Sequence, residues 1–500
     1  MNTVAGNLGV QTQHPEYTRR VDSWNKVDEV INGDVKKFLR DVGANERNTQ
    51  RKEKRNKDYS DGAVFYNFTL HTRNGMQGAI FRRPPDVDLE DALKYLADNV
   101  DGNGTPLHQQ SKAAVDQDIR KGRLGLLADM PKNDGDKVLS RAEAFSDQWL
   151  PRIQMYLAQD IINWRTTRVG SVVKLSMIVL REMYEETVDE HGFYTEKYFQ
   201  YRVLGLDDDG YYYQEVWRPQ AAGLHSTYNS DERFHPKQGG KKMTHIPFFF
   251  IGSEYNDYRV DTVPLEPIAD LNIGHYRNSA DTEENSFMAS SAMLIMNPDG
   301  LDRKKFREDN PDGVQAGSRR AILIKDAKYI QAGESDKALR LMQVKEEQAQ
   351  KIGAQMIDGG AQVTAETARI QNAANTSVLA TIAENVSAAY TSVLADIAAF
   401  LGVSNGDDGE VKNKLSLCMD FFMTTLSAQD RAQWVAEITA GVMPASEYYA
   451  ALRRSGQIHK SNEDLEREIS EQDPALDLQS GLYDNSQSNG GDNGDESNAD

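Results

Sequence analysis

The sequence predicts an α+β chain of about two to four domains, and three observations predict it. From Trp149 to about Phe250 the residues are β-branched and aromatic, with turn signals between short runs, which is strand patterning. On both sides of that block apolar residues recur at three- and four-residue steps, which is helical patterning. Near the C-terminal end, a proline-free run from about Ala361 to Leu401 follows the joint Asp358-Gly359-Gly360 and is rich in alanine and serine. As a helix it spans roughly 60 Å.

In chain order, the first 85 residues mix short helical patterns with a basic stretch, "ERNTQRKEKRNKDYSDG", read as a solvated loop or helix face. Leu89, Leu93 and Leu96 share helical spacing, as do Ala114, Val115 and Ile119. Thr105 stands ahead of Pro106 as a cap between the two. "RLGLLADMP" reads as a short buried strand. Strands follow in "SVVKLSMIVLREMYEE", "KYFQYRVLGLDDDGYYYQEVWRP" and "HIPFFFIG", with Asp207-Asp208-Asp209-Gly210 as a hairpin turn. A calcium loop does not fit there: Gly205 occupies the first ligand position and Val216 the place of the closing glutamate.

"LEPIADLNIGHYRNSADTEENSFMASSA" returns to helix, opened by Glu266 and Pro267, with a thin stripe of Ile268, Leu271, Ile273 and Tyr276 in a polar background. "AMLIMNPDG" and "GSRRAILIKDAKYI" are strands around a Pro/Gly-rich excursion. A second helix from Ser335 carries Leu339, Met342, Ala349, Ile352 and Met356. In the long helix Ile370, Ala374, Val378, Ile382, Val386, Tyr390, Val393 and Ile397 form one apolar stripe. Its four-residue steps and lack of flanking Glu/Lys pairs argue against a coiled-coil zipper. A helix pair closes the folded part, with Ser427 and Asp430 as a capping box, Gly441 as a stop and Ser446 as the second cap. The segment after Asp473 has a disordered, acidic composition.

A net charge of −20 opposes broad phosphate neutralisation, though it does not exclude a like-charged wall past which DNA slides without sticking. The single cysteine, Cys418 in "LSLCMDFF", excludes an internal disulfide, fits a reducing compartment and reads as a packing residue. No secretory leader and no run of eighteen apolar residues is expected. There is no histidine pair at i,i+4, no CxxC, no GxxxxGK[ST] loop ("GGKKM" lacks the first glycine and the hydroxyl) and no GxSxG elbow. A two-metal nuclease built from scattered carboxylates would leave no signature. The residues therefore predict no enzyme, no cofactor and no metal.

The order of these elements resembles the portal proteins of tailed bacteriophages. The strings that carry the likeness are "NVDGNGTPLHQQ…GRLGLLADMP", "IINWR", "YRVLGLDDDGYY…VWRP", "IPFFFIGSEYND", "LEPIADLNIGHYRNSADTEE" and "TAETARIQNAANTSVLATIAENVSAAY". They match one subfamily long catalogued as a domain of unknown function and reach from about Val87 to Leu401.

The resemblance implies a division of the chain: an N-terminal region and α/β wing over 1–264, a stem helix over 265–290, and a clip over 291–333. After these come a second stem helix (334–356), a tunnel loop (357–364), a long wing helix (365–402), a helical crown (403–470) and a disordered acidic tail (471–500). It implies rings of about twelve subunits in the virion, assembled in the host cytoplasm, with no membrane partner. The implied partners are other copies of the chain, the major capsid protein, a scaffolding protein, the terminase large subunit, a head-completion or tail adaptor, and double-stranded DNA without sequence specificity. Asp358, Gly359, Gly360, Gln362 and Thr364 would face the DNA, the glycines permitting a bend and the absence of Lys and Arg avoiding phosphate grip. A plain helix–helix turn is the simpler reading of the same residues. Arg303, Lys304, Lys305, Arg307, Arg319 and Arg320 would dock the motor and adaptor, or are solvated loop charges. The competing assignments are another head or neck structural protein and a carboxylate-metal hydrolase.

Overall fold

Helix α1 (Pro15–Asn32) starts with a proline at its first position, and the His14 imidazole accepts the Glu16 N–H. It ends at Gly33, whose φ of 83° is the left-handed value a helix stop favours. Its inner face buries Tyr17, Trp24, Val27 and Val30, and the Trp24 indole donates to the Lys121 carbonyl at 3.0 Å. The structure, a computed structural model, describes residues 9–44, 47–132, 149–187, 191–219, 228–238, 241–290, 293–296, 327–330, 337–357, 365–403, 412–419, 428–442 and 444–454, with single positions at 302, 304, 308, 458, 465, 467 and 468. It forms two units, Met1–Met419 and Asp420–Asp500.

The basic stretch is helix α2 (Thr49–Gly62), solvent-facing except for Tyr59, whose hydroxyl donates to Asp281 at 2.7 Å. Helix α3 (Phe68–Ile80) is capped by the Asn67 side chain. Strand β1 (Asp86–Asp88) precedes a 3-10 turn and the one-turn helix α4 (Tyr95–Asp98). Leu93 and Leu96 are buried as their spacing predicts. The helix is short because the Asn99 side chain turns to accept the N–H groups of Gly102 and Gly104. Thr105 is not a cap. Its hydroxyl donates to Asp101 at 2.7 Å, and helix α5 (Leu107–Lys121) starts from Pro106.

Strand β2 (Arg123–Asp129) is buried along nearly its whole length and pairs antiparallel with β3 (Arg152–Leu157). Strands β4 (Ile161–Val169), β5 (Val172–Thr187), β6 (Thr195–Leu206), β7 (Tyr212–Pro219) and β8 (Tyr228–Ser230) form a five-stranded antiparallel meander. The Asp207–Gly210 cluster is the turn expected of it: Asp207 Oδ1 accepts the Asp209 and Tyr211 N–H groups, and Gly210 has φ 82°. After the small hairpin β9 (Lys237–Gln238) and β10 (Lys241–Lys242), β11 (Phe248–Gly252) pairs with the other edge of β2. In this three-stranded sheet Phe248 lays its ring over Gly125. A Cβ there would lie 2.1 Å from the ring, so only glycine fits.

Helix α6 (Glu266–Ser290) runs to strand β12 (Met293–Met296), which pairs antiparallel with β13 (Ala327–Ile330); helix α7 (Lys337–Ile357) follows. The 37-residue helix α8 (Ala365–Leu401) is about 55 Å long. Leu379, Ile382, Val386, Tyr390, Val393 and Ile397 are buried, packing on β2, β11 and α5, and burial of each contributes about 1.5–3 kcal/mol. Val378, at the start of the described stripe, is instead 41% exposed; the side chains of Ile370 and Ala374 lie outside the described residues. By length and composition Val378–Leu401 would also suffice to cross a membrane. Two polar links fix α8: the Tyr390 hydroxyl donates to Gln110 Oε1 at 3.0 Å, and His245 meets Asp396 at 3.0 Å.

Strand β14 (Lys414–Ser416), within the span expected as a helical crown, pairs antiparallel with β1. In the second unit α9 (Ala428–Thr439) stops near Gly441 at φ 69°, and α10 (Ala445–Arg454) follows, with Trp434 and Tyr448 rings 6.2 Å apart. Ser446 lies inside the first turn of α10 rather than at its cap, because Pro444 supplies the carbonyl that takes the Glu447 N–H. Ser427 and the acidic tail lie outside the described residues. The chain is thus a mixed helix-and-sheet protein, as its patterning predicts.

Candidate functional site

The residues to which the sequence reading assigns a role fall beside two helices, α6 and α7, which the structure shows keyed together. Helix α6 is enclosed by α1, α2, α3 and α7. Its apolar stripe is thin because polar side chains fill the remaining buried positions, and several of them are partnered by a neighbouring element. Asn272, fully buried, accepts the Thr69 N–H and hydroxyl and donates to the Tyr66 carbonyl at 2.9 Å. The Ser279 hydroxyl accepts the Val64 N–H at 3.0 Å. Sequence reasoning missed these residues. The available signal was an amphipathic pattern too weak to bury a helix by apolar contact alone.

Helix α7 joins α6 by three polar contacts along its length. Buried His275 meets Glu346 at 2.8 Å through Nε2. Lys345 donates to the Gly274 carbonyl at 2.8 Å, and burial draws its pKa below the usual lysine range, with Arg277 adding to the effect. Gly274 admits that ammonium because a Cβ there would stand 3.0 Å from Nζ. Thr282 approaches the Met342 sulfur at 3.6 Å. These contacts forbid axial sliding, since a slip of one turn would leave His275 and the Gly274 carbonyl facing the wrong side chains. Leu339, expected on the inner stripe, is exposed along with Leu341 and Val344; Ala338, Met342, Lys345, Glu346 and Ala349 sit on the packed side. The result is a pair of helices, 25 and 21 residues long, fixed in register and carrying the β12–β13 ribbon at one end.

Of the basic residues assigned to the excursion, Lys304 is described; it is exposed, with its N–H donated to Asp302. Arg303, Lys305, Arg307, Arg319 and Arg320 lie outside the described residues, as do Asp358, Gly359, Gly360, Gln362 and Thr364. What the structure fixes is their setting: the first group falls between β12 and β13 in sequence, and the second joins the end of α7 to the start of α8.

A cleft of about 410 Å³ lies between β3 and the meander, lined by Asp129, Tyr156, Asp160, Arg181, Glu182 and Arg202 among others. Several carboxylates converge in this cavity, so it bears on the hydrolase reading. Its three carboxylates, Asp129, Asp160 and Glu182, face two guanidiniums, Arg181 and Arg202. Arg202 contacts Asp129 at 2.9 Å and Glu182 at 2.8 Å, Arg181 contacts Asp160 at 3.1 Å, and the Tyr156 hydroxyl donates to Glu182 at 2.6 Å. Loss of water raises the Asp129 and Asp160 pKa values against the pull of their arginines. For Arg202 the surrounding acids outweigh burial and raise it. Among the described residues no group of three or more His, Cys, Asp or Glu is placed to hold a metal ion. The cleft reads as a polar junction cross-linked by ion pairs.

Compared with known proteins, residues 264–401 match a family described as a domain of unknown function, DUF4055. The match begins just before α6 and ends with α8. No curated protein matches the chain. Among solved structures, the virion of a native gene transfer agent particle aligns over 78% of this chain and 91% of its own at 13% identity, with a TM-score of 0.36. The neck of the empty particle computed with C6 symmetry aligns over 78% and 89% at 13% identity and TM-score 0.36. The neck of the native particle computed with C12 symmetry aligns over 77% and 89% at 13% identity and TM-score 0.37.

Proposed function

We propose that the chain is one subunit of a portal ring, the head-to-tail connector at a single capsid vertex of a tailed-phage-type particle. In this role it acts as a structural conduit with no catalytic step and no cofactor. The observation that carries the reading is the run α6, β12–β13 ribbon, α7, joint, α8: two register-locked helices bearing a ribbon, followed by a long helix anchored in an α/β body. The DUF4055 match falls on this run, and so do two of the strings resembling portal proteins.

In the proposed ring, α6 and α7 form the stem, and the excursion between them is the clip. Its cations, Arg303, Lys304, Lys305, Arg307, Arg319 and Arg320, meet acidic surfaces of the packaging motor and later of a tail adaptor. Asp358 to Thr364 narrow the channel around double-stranded DNA. Twelve copies at −20 each carry about −240, which is consistent with a lumen that repels phosphate and keeps sliding friction low. The capsid and scaffolding proteins surround the wing.

Native mass spectrometry with negative-stain imaging of the purified chain tests the reading. Rings of about twelve subunits with a central hole are expected. A compact small oligomer without a hole overturns it. Mg²⁺-dependent nuclease activity in that sample would point instead to the hydrolase.

A further inference from the structure

Beyond Leu180 and Tyr201 the meander narrows to two strands. Strand β4 covers β5 as far as Leu180, and β7 covers β6 only from Tyr201 onward. From Arg181 to Thr187 and back from Thr195 to Gln200, β5 and β6 run on alone in unbroken register. This ribbon is roughly 20 Å long. It carries apolar side chains into solvent: Met183 and Phe199, directly opposite each other, are 60% and 47% exposed, and Phe193, just before β6, is 92% exposed. A lone two-stranded ribbon is marginally stable in water, so this one gains from being covered.

The charges on one of its faces say what kind of surface would cover it. Glu186 and Glu196 stand directly opposite each other, two residues beyond the cross-strand pair Tyr184 and Tyr198, whose ring centroids are 5.8 Å apart. The Tyr198 hydroxyl donates to Glu196. Among the described residues neither carboxylate has an ion-pair partner. Like charges directly opposite destabilise a strand pair, and cations brought from outside would remove that penalty.

The same chain carries the complementary surface. Three-residue steps set Arg51, Lys54 and Lys57 along one exposed side of α2, and among the described residues none of the three has an ion-pair partner. Val64 and Tyr66, 62% and 56% exposed, follow the helix. Cβ atoms three residues apart on a helix lie about 5–6 Å from each other, and those of opposed strand residues about 5 Å, so two cations can meet two carboxylates. Duplex phosphate is a weaker occupant of α2, because exposed Glu53, Asp58 and Asp61 interrupt its cations. Within one copy α2 is held on α6 through Tyr59–Asp281 and Arg55–Glu284, and no ion pair among the described residues joins it to the ribbon. We infer that the β5–β6 ribbon of one copy docks on helix α2 of the next, with Glu186 and Glu196 receiving Arg51 and Lys54. This rests on the ring reading. Because the two surfaces differ, the contact is head-to-tail and can repeat from copy to copy.

The test follows full-length chains by native mass spectrometry across a dilution series, with circular dichroism as the control for folding. Glu186→Lys/Glu196→Lys keeps a like-charged pair, so the ribbon itself is no less stable, while subunit association is expected to weaken by about 10-fold or more. Arg51→Glu/Lys54→Glu is expected to weaken it to a similar degree. Mixing the two variants in equal amounts is expected to recover assembly, because each reversed surface then meets its complement. A ribbon-reversed chain that associates as the parent does, or a mixture that fails to recover, overturns the docking and leaves the ring reading standing. Rings of the helix-reversed chain that persist while retention of duplex DNA falls assign α2 to phosphate and overturn it as well. A parent that never forms rings overturns both.

Discussion

Replacing Tyr390 by phenylalanine removes one oxygen from the middle of α8 and isolates a single interaction. The ring is fully buried, so the Tyr390→Phe variant keeps its packing, and only the hydroxyl donated to Gln110 is lost. Gln110 cannot turn to recover: its amide N–H already donates to the Ile153 carbonyl at 2.9 Å, and it is 5% exposed. Oε1 is therefore left as a dry, unpaired acceptor, a loss of about 2 kcal/mol. With a urea slope of about 3 kcal/mol per molar, the midpoint falls by about 0.7 M. Trp24 and Trp164, both buried in the same unit, report the transition by fluorescence. Adding Gln110→Leu should show coupling of about 1 kcal/mol or more in a double-mutant cycle, because the acceptor is then gone. A Tyr390→Phe midpoint within about 0.1 M of the parent refutes the claim that α8, α5 and β3 are joined through this chain of bonds.

Gly125→Ala should destabilise by about 1–3 kcal/mol, because its Cβ would stand 2.1 Å from the Phe248 ring; thermal melts check this, and Phe248→Leu in the same chain should restore part of the loss. Asp118 is fully buried with neither oxygen partnered, and burial, then Asp261, raises its pKa well above the usual carboxyl value. A folded pKa above the unfolded one means its stabilisation is complete below about pH 4 and is lost as pH rises through the folded value. Asp118→Asn should therefore flatten the fall in urea midpoint from pH 5 to pH 9, the fall amounting to about 1.4 kcal/mol for each pH unit separating the folded from the unfolded pKa; a variant less stable than the parent at pH 8 would contradict the buried-acid account. Charge reversal at Arg319 and Arg320 should leave ring assembly intact while weakening DNA packaging and tail attachment, and unchanged packaging by particles carrying both changes would sink the docking role of the clip.

Long elements were legible because periodicity reports burial on one side. Ile382, Val386, Tyr390, Val393 and Ile397 lie where the four-residue steps put them, and β2 is as buried as "RLGLLAD" suggests. The reading failed where burial is not one-sided. Helix α6 is enclosed by other helices and hides Asn272, His275 and Ser279, which any hydropathy pattern marks as exposed. Short-range competition was equally invisible: Asn99 and Asp101 capture nearby N–H and hydroxyl groups and cut short the helix that Leu93 and Leu96 imply.

By itself the sequence determined the α+β class, the strand block from Trp149 to Phe250, the long α8 stripe and the acidic balance, because these depend on local residue type and period. Tertiary structure alone decided that β11 joins β2, that β14 returns to β1, that His275 faces Glu346, and that Arg123 reaches the carbonyl of Arg259. These pairings join residues far apart in the chain. Their partners are set by three-dimensional packing, and no spacing along the sequence encodes which distant group will satisfy a buried polar atom.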